Sequence, residues 1–209
     1  MNLVIIGGGG LAREVYDLAK ICFANNDKFK IKGFLSKEAS NLEELGYGKV
    51  FLDSSNYIIE EGDVFFCAIG NVIRRKKVVK RILAKGGEFI NLIHPKAVVS
   101  PSVKLGIGVA IKPFCVISSN VIIGDFTYFQ SSVIVGHDVK IGKYCQINSF
   151  SFFAGYVNTG DCVTVNAGAR LIQNIKVEDE AIIGVGSVVI SKVRNGTTVF
   201  GVPAKRLKF

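Results

Sequence analysis

The chain contains two histidines, and one of them, His137, is followed directly by a carboxylate, Asp138. Histidine changes its protonation state near neutral pH, which makes it the usual general base. A carboxylate beside it can fix the imidazole tautomer and favour the imidazolium ion. The pair therefore predicts proton abstraction from an attacking group. The alternative is an exposed His137 with no role, and His94, which precedes a proline, is interpreted as a structural or supporting residue.

Composition excludes several classes of protein. A γ-type carbonic anhydrase needs three histidines on zinc, and the spacing between His94 and His137 is not a multiple of six, so no metal is expected. The five cysteines have no C-x-x-C spacing, which predicts free thiols in a reducing cytoplasm. No stretch approaches the ~18 apolar residues of a membrane span, and the N-terminus has no secretory signal. We therefore expect a cytoplasmic protein without a transmembrane segment.

The histidine pair lies within a six-residue repeat that runs from Ala97 to Ala204. The first place of each unit holds a small or β-branched residue, the third almost always holds a large apolar residue, and glycine recurs at the fourth. A period of six fits neither a helix nor an ordinary strand. It indicates short strands and turns that stack around one apolar column. We expect the fourth-place glycines to relieve backbone strain at the turns.

The first ninety residues have a different pattern, in which apolar strands alternate with amphipathic helices. Strands are predicted at 3–6, 31–35, 64–69 and 89–93, and helices at 11–22 and 72–83 with Asn71 as an N-cap. This order predicts a small parallel sheet with helices on its faces. We place the domain boundary after residue 93, giving domains 1–93 and 94–209.

A glycine-rich turn follows the first predicted strand. The motif Gly7-x-Gly9-x-x-Ala12 fits a turn that holds phosphate, and a tight structural turn is the equal alternative. A nicotinamide enzyme is rejected, because Ser36 and Lys37 stand where an acidic residue would hold a ribose. A mononucleotide or a nucleotide-linked compound is the ligand that this turn favours.

The segment 74–85, RRKKVVKRILAK, is strongly basic in a chain of net charge +9. A basic surface can attract nucleic acid or phosphorylated small molecules. However, Val78, Val79, Ile82 and Leu83 form an apolar stripe at helical spacing. We therefore expect the basic side chains to face solvent, and we predict no nucleic-acid partner.

The motifs together resemble one family. They are the repeat itself and IIGGGGLAREV, FFCAIGN-x-x-R-R-K, NLIHPKAVVSPS, VGHDVKIG and GVPAKRLK. They are similar to the sialic-acid O-acetyltransferase-like family of hexapeptide-repeat acetyltransferases, and most to its nucleotide-sugar N-acetyltransferases, such as the bacillosamine-pathway enzyme. The resemblance covers the whole chain. It implies a small α/β Rossmann-like domain followed by a left-handed parallel β-helix, with three units in each coil and about six coils.

The resemblance also implies an activity. The chain would transfer the acetyl group of acetyl-CoA, as co-substrate, to a nucleotide-linked 4-amino-4,6-dideoxy sugar for a surface glycan such as an O-antigen. The first domain would hold the nucleotide sugar. The β-helix would bind acetyl-CoA and form a homotrimer with active sites at the subunit interfaces.

The family's catalytic histidine falls on His137, its acidic neighbour on Asp138, and the glycine whose amide faces the acetyl oxygen on Gly155. The repeat supports this last residue independently, because positions 18 apart lie above one another in successive coils, about 4.8 Å apart. An unobstructed N–H at this point can donate to an oxygen on which negative charge develops.

The resemblance assigns further residues to the two substrates. Those for the nucleotide sugar are Gly8, Gly9, Gly10, Ser36, Lys37, Ala68, Ile69, Gly70, Asn71 and Gln130. Those for acetyl-CoA are Gln146, Gly155, Lys205 and Arg206, of which the two cations could pair with phosphates. Many relatives carry Asp-Asp at Ser36-Lys37, and some carry histidine at Gln146. UDP, dTDP and GDP therefore stay open as the nucleotide.

Two other functions fit the same residues. A sugar O-acetyltransferase of the sialic-acid type would use the same base on a hydroxyl acceptor. A non-catalytic relative that only binds a nucleotide sugar is also compatible with the fold, although the intact His137–Asp138 pair argues against it.

Overall fold

A computed structural model describes residues 1–36, 41–52 and 56–207. The chain forms two compact units, Met1–Leu92 and Ile93–Phe209. Within the described ranges, no helix has the length and apolar character that crossing a membrane requires.

The first unit is a parallel five-stranded sheet with two helices. Its elements are β1 (Asn2–Ile6), α1 (Gly10–Cys22), β2 (Lys30–Ser36), β3 (Val50–Leu52), β4 (Asp63–Cys67), α2 (Val72–Ala84) and β5 (Glu88–Phe89). The spatial order is β3-β2-β1-β4-β5, so β1 lies at the centre between β2 and β4. The chain therefore passes from β1 to one side of the sheet through β2 and β3, and to the other side through β4 and β5. In parallel sheets, ligands bind where the strand order reverses in this way, outside the carboxyl ends of the strands.

The predicted alternation of strands and helices is present, with two differences. The three-residue β3 has too short an apolar run to be recognised in the sequence. The strand predicted at 89–93 is divided, because residues 92–93 pair with the repeat rather than with the sheet.

Each helix packs an apolar stripe against the sheet. Helix α1 buries Ala12, Val15, Leu18 and Ala19. Helix α2 is capped by Asn71, whose Oδ1 accepts the Arg74 N–H at 2.9 Å, as its sequence predicts. Two expectations for α2 were wrong. Leu83, predicted to belong to the buried stripe, is exposed, and Arg75, predicted to face solvent, is fully buried. The charged Arg75 is buried because backbone carbonyls accept its guanidinium protons.

The second unit consists of short strands. They are β6 (Leu92–Ile93), β7 (Val98–Val99), β8 (Lys104–Leu105), β9 (Ala110–Ile111), β10 (Val116–Ile117), β11 (Ile122–Ile123), β12 (Tyr128–Phe129), β13 (Ile134–Val135), β14 (Lys140–Ile141), β15 (Gln146–Ile147), β16 (Phe152–Phe153), β17 (Asn158–Thr159), β18 (Thr164–Val165), β19 (Arg170–Leu171), β20 (Lys176–Val177), β21 (Ile182–Ile183), β22 (Val188–Val189), β23 (Thr198–Phe200) and β24 (Lys205–Arg206).

These strands form three faces of a parallel β-helix, as predicted. The six-stranded face contains β7, β10, β13, β16, β19 and β22, and the five-stranded face contains β8, β11, β14, β17 and β20. The eight-stranded face contains β6, β9, β12, β15, β18, β21, β23 and β24. These numbers differ slightly from a uniform six, because β6 precedes the repeat, β24 pairs antiparallel at the end, and Val193 makes only an isolated bridge to Val177.

Stacking follows the predicted spacing through most of the unit. Ile134 pairs with Phe152, one coil of 18 residues away. The first and third places point inward and form one continuous core, in which Val133 and Val135 are fully buried. The prediction of a regular repeat to Ala204 was wrong in the last coil, where Ile182 pairs with Thr198, two residues early. Val193 and Val199 then take inward places there.

The turns use glycine differently from our prediction. The residue in the left-handed region is the sixth in most units, and it is usually not glycine, as with Phe126, Asp138 and Tyr144 at φ 58–59°. Fourth-place glycines are required by close approach of the coils. A Cβ on Gly124 would lie 2.6 Å from the Gly142 carbonyl carbon. Such fourth-place glycines allow the coils to stack closely, whereas Gly196 in the last coil has φ 61° and open space at its Cβ position, which is the role predicted for them.

Candidate functional site

His137 and Gly155 lie in successive coils at the corner between the six-stranded and five-stranded faces, which we call the histidine corner. A Cβ built on Gly155 would lie 2.8 Å from both Cε1 and Nε2 of the imidazole, so the ring lies directly over the glycine. Among the described residues, no hydrogen bond is donated by the Gly155 N–H. The structure therefore brings together a histidine and an open amide, at the spacing expected from the sequence.

The imidazole is oriented by its neighbour. His137 Nδ1 lies 2.9 Å from Asp138 Oδ2, and the two side chains are 55% and 35% exposed. When Nδ1 carries the proton that Asp138 accepts, Nε2 is left with its lone pair. Nε2 is one of the two ring atoms nearest Gly155. The proton-accepting atom and the open amide therefore face the same space.

Asp138 is held by groups from the coils on either side. Asn120 Nδ2 donates to Asp138 Oδ1 at 3.3 Å, and the Tyr156 ring meets the His137 ring edge-on at 5.0 Å. The pKa of Asp138 lies below its ordinary value, first because of the hydrogen bond with His137 and further because Asn120 and Tyr156 also donate to it. The sequence analysis missed Asn120 and Tyr156, although both are 18 residues from Asp138 and the repeat could have identified them.

A second site lies in the first unit. A cleft of about 1070 Å³ opens where β1, β2 and β4 end. The predicted nucleotide residues that line it are Gly8, Gly9, Gly10, Ser36, Ala68, Ile69, Gly70 and Asn71. Lys37 lies outside the described residues. The described part of the prediction for this unit thus falls into one cavity.

The glycine turn of this cleft combines packing with an open helix end. Gly7 has φ 135°, and a Cβ there would lie 2.7 Å from the Ala68 carbonyl oxygen, so a side chain is excluded. Helix α1 begins after Gly9 without a side-chain cap, whereas α2 is capped by Asn71. Uncapped N–H groups at a helix start attract anions. The turn has a structural requirement and can also hold a phosphate.

The opposite turn of the cleft is fixed by a buried arginine. The Arg75 guanidinium donates from Nε to the Ile69 carbonyl at 2.9 Å and from Nη2 to the Gly70 carbonyl at 3.1 Å. These bonds set the backbone that follows β4. Arg75 is a positioning residue for this wall, and its place in a basic segment concealed that role in the sequence.

Three other cations of the basic segment also belong to the cleft. Arg74, Lys77 and Arg81 line it, together with Val78. Arg74 and Lys77 are exposed, as expected for the basic side chains, and Arg81 is half-buried, but all three also border the cleft, which the sequence did not indicate. Their spacing along α2 was readable in the sequence, but the side of α2 that borders the cleft depends on the strand order of the sheet.

The structure does not place the remaining predicted residues beside His137 within one chain. Gln146 is buried on the eight-stranded face, where its Nε2 donates to Asn148 Oδ1 at 3.1 Å. Gln130 follows β12 at the corner between the eight-stranded and six-stranded faces, and its carbonyl accepts from Cys115 Sγ at 3.0 Å.

The C-terminal cations border a cavity of their own. Lys205 and Arg206 form β24 and line a pocket of about 370 Å³ with Lys192 and Arg194. Lys192 is paired with Glu178. This basic pocket lies at the far end of the β-helix from β6.

His94 is part of the first turn of the β-helix. The ring atom Nδ1 of His94 accepts the backbone N–H of Lys96 at 3.0 Å. The backbone N–H of His94 donates to the Ile111 carbonyl at 2.9 Å. Burial, and to a lesser extent Lys96, lowers the pKa of His94. Within the ranges that the structure describes, no group of three or more His, Cys, Asp or Glu side chains is arranged to hold a metal ion.

Comparison with known proteins points in one direction. Residues 2–82 match the PglD N-terminal domain, and residues 90–180 match the GMPPB C-terminal domain. The chain is 36% identical to GDP-perosamine N-acetyltransferase of Escherichia coli O157:H7 over 150 residues, which cover 69% of this chain and 67% of that enzyme.

Solved structures agree along the whole chain. A histidine-to-asparagine mutant of perosamine N-acetyltransferase from Caulobacter crescentus, determined in complex with CoA and GDP-perosamine, is 31% identical with a TM-score of 0.89. The alignment covers 100% of this chain and 98% of that one. The acetyltransferase domain of PglB from Neisseria gonorrhoeae is 26% identical with a TM-score of 0.86, covering 99% of both chains.

Proposed function

Because this chain belongs to the hexapeptide-repeat acetyltransferases, in their nucleotide-sugar N-acetyltransferase branch, we propose that it acetylates the amino group of a nucleotide-linked 4-amino-4,6-dideoxy sugar. Acetyl-CoA is the acetyl donor, and the product serves surface glycan synthesis. The observation that carries this proposal is the His137 imidazole, held by Asp138 and lying over the open amide of Gly155. GDP-perosamine is the first substrate to test, since the similar enzymes are named for it.

His137 acts as the general base. The acceptor amine must lose a proton as it attacks the acetyl carbonyl, and Nε2 can take that proton while Nδ1–H remains bonded to Asp138. When the carbon–sulfur bond of acetyl-CoA then breaks, the imidazolium can give this proton to the leaving thiolate, so that CoA departs as the free thiol. Asp138 is ionised at neutral pH, as an aspartate normally is, and the hydrogen bond with His137 lowers its pKa further. Its negative charge then stabilises the imidazolium that forms.

Gly155 stabilises the charge that develops on the acetyl oxygen. Its N–H has no acceptor among the described residues, so it is free for this oxygen without breaking another bond. A fixed donor of this kind favours the transition state over the ground state. The absence of a side chain leaves room for the acetyl group next to the imidazole.

The two units divide the substrates in this proposal. The cleft of Met1–Leu92 holds the nucleotide, with the uncapped start of α1 near its phosphates. The β-helix unit holds acetyl-CoA, and Gln146 and Gly155 contact this co-substrate. The basic pocket at Lys205 and Arg206 lies near its phosphates. Gln130 contacts the nucleotide sugar.

A homotrimer completes the site. Gln130, Gln146 and the C-terminal cations lie away from the histidine corner of their own chain, so a neighbouring subunit is needed to bring such residues to it. The six-stranded face supports this, because Val98, Val116, Ile134 and Phe152 form an exposed apolar stripe along it. Sedimentation velocity should give a trimer, and a fully active monomer would contradict the shared site.

Thiol release from acetyl-CoA tests the function. The purified protein is assayed with GDP-, UDP- and dTDP-linked 4-amino sugars, and with hydroxyl analogues of each. Turnover with one amino sugar supports the proposal and identifies the nucleotide. Turnover only with the hydroxyl analogues would replace N-acetylation with O-acetylation. No turnover with any of these compounds would indicate a binding protein.

A further inference from the structure

One wall of the cleft in the first unit is strongly charged. Arg74, Lys77 and Arg81 line the cleft, and all three come from α2. Spacings of three and four residues place them on one side of the helix, in a row about 10 Å long. We call these three residues the cationic row. It runs beside Val78, which is buried and borders the same cleft.

The described part of the chain does not neutralise the cationic row. A few cations of the protein are paired with carboxylates, as with Lys32 at 2.9 Å from Asp63. No ion pair between described residues includes Arg74, Lys77 or Arg81. The described lining of the cleft contains no Asp or Glu. Three like charges beside one cavity repel each other, and an anionic ligand removes that cost.

We propose that the cationic row binds the diphosphate of the nucleotide and makes phosphate charge the main determinant of what this cleft accepts. The inference rests on the proposed function, which places a nucleotide sugar here. Arginine offers a planar fork to two phosphate oxygens, and Lys77 adds a compact charge between the two forks. The row is long enough to reach both phosphates, while the glycine turn supplies backbone N–H groups.

The row predicts how ligands rank. GDP should bind more tightly than GMP, because GMP engages fewer cations, and a free amino sugar should not be held at all. The affinity for GDP should fall with added salt, since the row and its ligand attract each other through space that water and ions can enter. Both effects should be smaller if the glycine turn alone holds the phosphates, because the start of α1 contributes only partial charge.

The test compares row variants with matched variants on the same helix. Lys77→Gln and Arg81→Gln each remove a charge from the cleft, whereas Lys80→Gln removes the same charge from an exposed position that does not line it. Binding of GDP and GMP is measured by titration calorimetry. Each row variant should bind GDP about tenfold more weakly, with a smaller change for GMP, and Lys80→Gln should stay within about twofold of the wild type. Equal melting temperatures establish that the variants are folded.

The outcomes separate this inference from the proposed function. Binding of GDP requires no acetyl transfer, so weakened binding in the row variants supports the inference even if no amino sugar is turned over. Wild-type affinity in Lys77→Gln and Arg81→Gln would overturn it, even with normal turnover. Equal weakening in Lys80→Gln would also overturn it, as a diffuse charge effect. CoA carries a diphosphate as well, and a loss of CoA affinity in the row variants would assign the row to the donor instead.

Discussion

Two corners of the β-helix use the same position of the repeat for different purposes. At the corner between the five-stranded and eight-stranded faces, fifth-place carboxylates accept backbone N–H groups from the coil before them, and we call this the carboxylate corner. Asp161 accepts the Lys143 N–H at 2.8 Å, and Asp179 accepts the Asp161 N–H at 2.8 Å. Asp125 also pairs with the Lys143 ammonium at 2.8 Å. These amides are satisfied within the fold.

The histidine corner lacks that arrangement. In the two coils that contain Lys143 and Asp161, the fifth places at the histidine corner are His137 and Gly155. The Gly155 N–H donates to no acceptor among the described residues. The carboxylate at this corner belongs to a sixth-place residue, Asp138, and it bonds the imidazole instead of a backbone N–H. The role of each corner therefore depends on what its carboxylate bonds. A carboxylate that accepts a backbone N–H stabilises the fold, whereas one that bonds the histidine leaves a backbone N–H available for substrate.

Replacement of the base should have the largest effect. His137→Asn keeps a similar volume but cannot act as a base at neutral pH, so kcat for thiol release should fall by about 10²–10⁴. The melting temperature should stay near that of the wild type, because the side chain is more than half exposed. Retention of full turnover would remove His137 from the mechanism.

A methyl group at the open amide should come next. Gly155→Ala places Cβ 2.8 Å from the imidazole, which must move, so kcat should fall by about 10²-fold. Gly142→Ala is the comparison at the carboxylate corner, in the neighbouring fourth place of its unit, where Cβ meets the Gly160 backbone. It should lower stability by about 1–3 kcal/mol with kcat of the folded protein unchanged. Equal effects of the two changes on kcat would show that the corners do not differ.

Loss of a structural carboxylate should affect only stability. Asp161→Ala leaves the Lys143 N–H without its acceptor, at a cost of about 1 kcal/mol, or a melting temperature lower by about 2–4 °C. Turnover below that temperature should be unchanged. Asp138→Ala is the counterpart at the histidine corner, and it should lower kcat with little change in melting temperature.

The groups around Asp138 should give the smallest effects. Asn120→Ala and Tyr156→Phe each remove one hydrogen bond that keeps the pKa of Asp138 low. With both removed, that pKa rises toward its ordinary value, and Asp138 loses two of the groups that hold it beside the imidazole, so the double variant should lose more kcat than either single variant. Each single change should lower kcat by about two- to tenfold. Wild-type kcat in the double variant would limit both residues to packing.

Much of this arrangement is encoded locally. The six-residue period fixes which side chains point inward, and three such periods separate His137 from Gly155, so the spacing alone stacks the glycine against the histidine. The same arithmetic would have given Asn120 and Tyr156, because stacking treats all six places alike. The last coil departs from the regular repeat where the third places hold Asn195 and Gly201 instead of large apolar residues, but those exceptions alone do not say that the coil is two residues shorter.

Features that depend on tertiary order were not accessible from the sequence. Arg75 and the cationic row belong to one basic segment, and periodicity alone assigned both to solvent. Which side of α2 borders the cleft follows from the position of β1 between β2 and β4. The glycine turn was ambiguous for the same reason, because Gly7 is required by its approach to Ala68 whether or not a ligand binds.

A crystal structure with a stable acetyl-CoA analogue and a nucleotide-linked amino sugar tests the central claim most directly. We expect the sugar nitrogen within about 2.6–3.2 Å of His137 Nε2 and the acetyl oxygen about 2.7–3.1 Å from the Gly155 nitrogen. An amine and acetyl group bound away from the histidine corner would contradict the account.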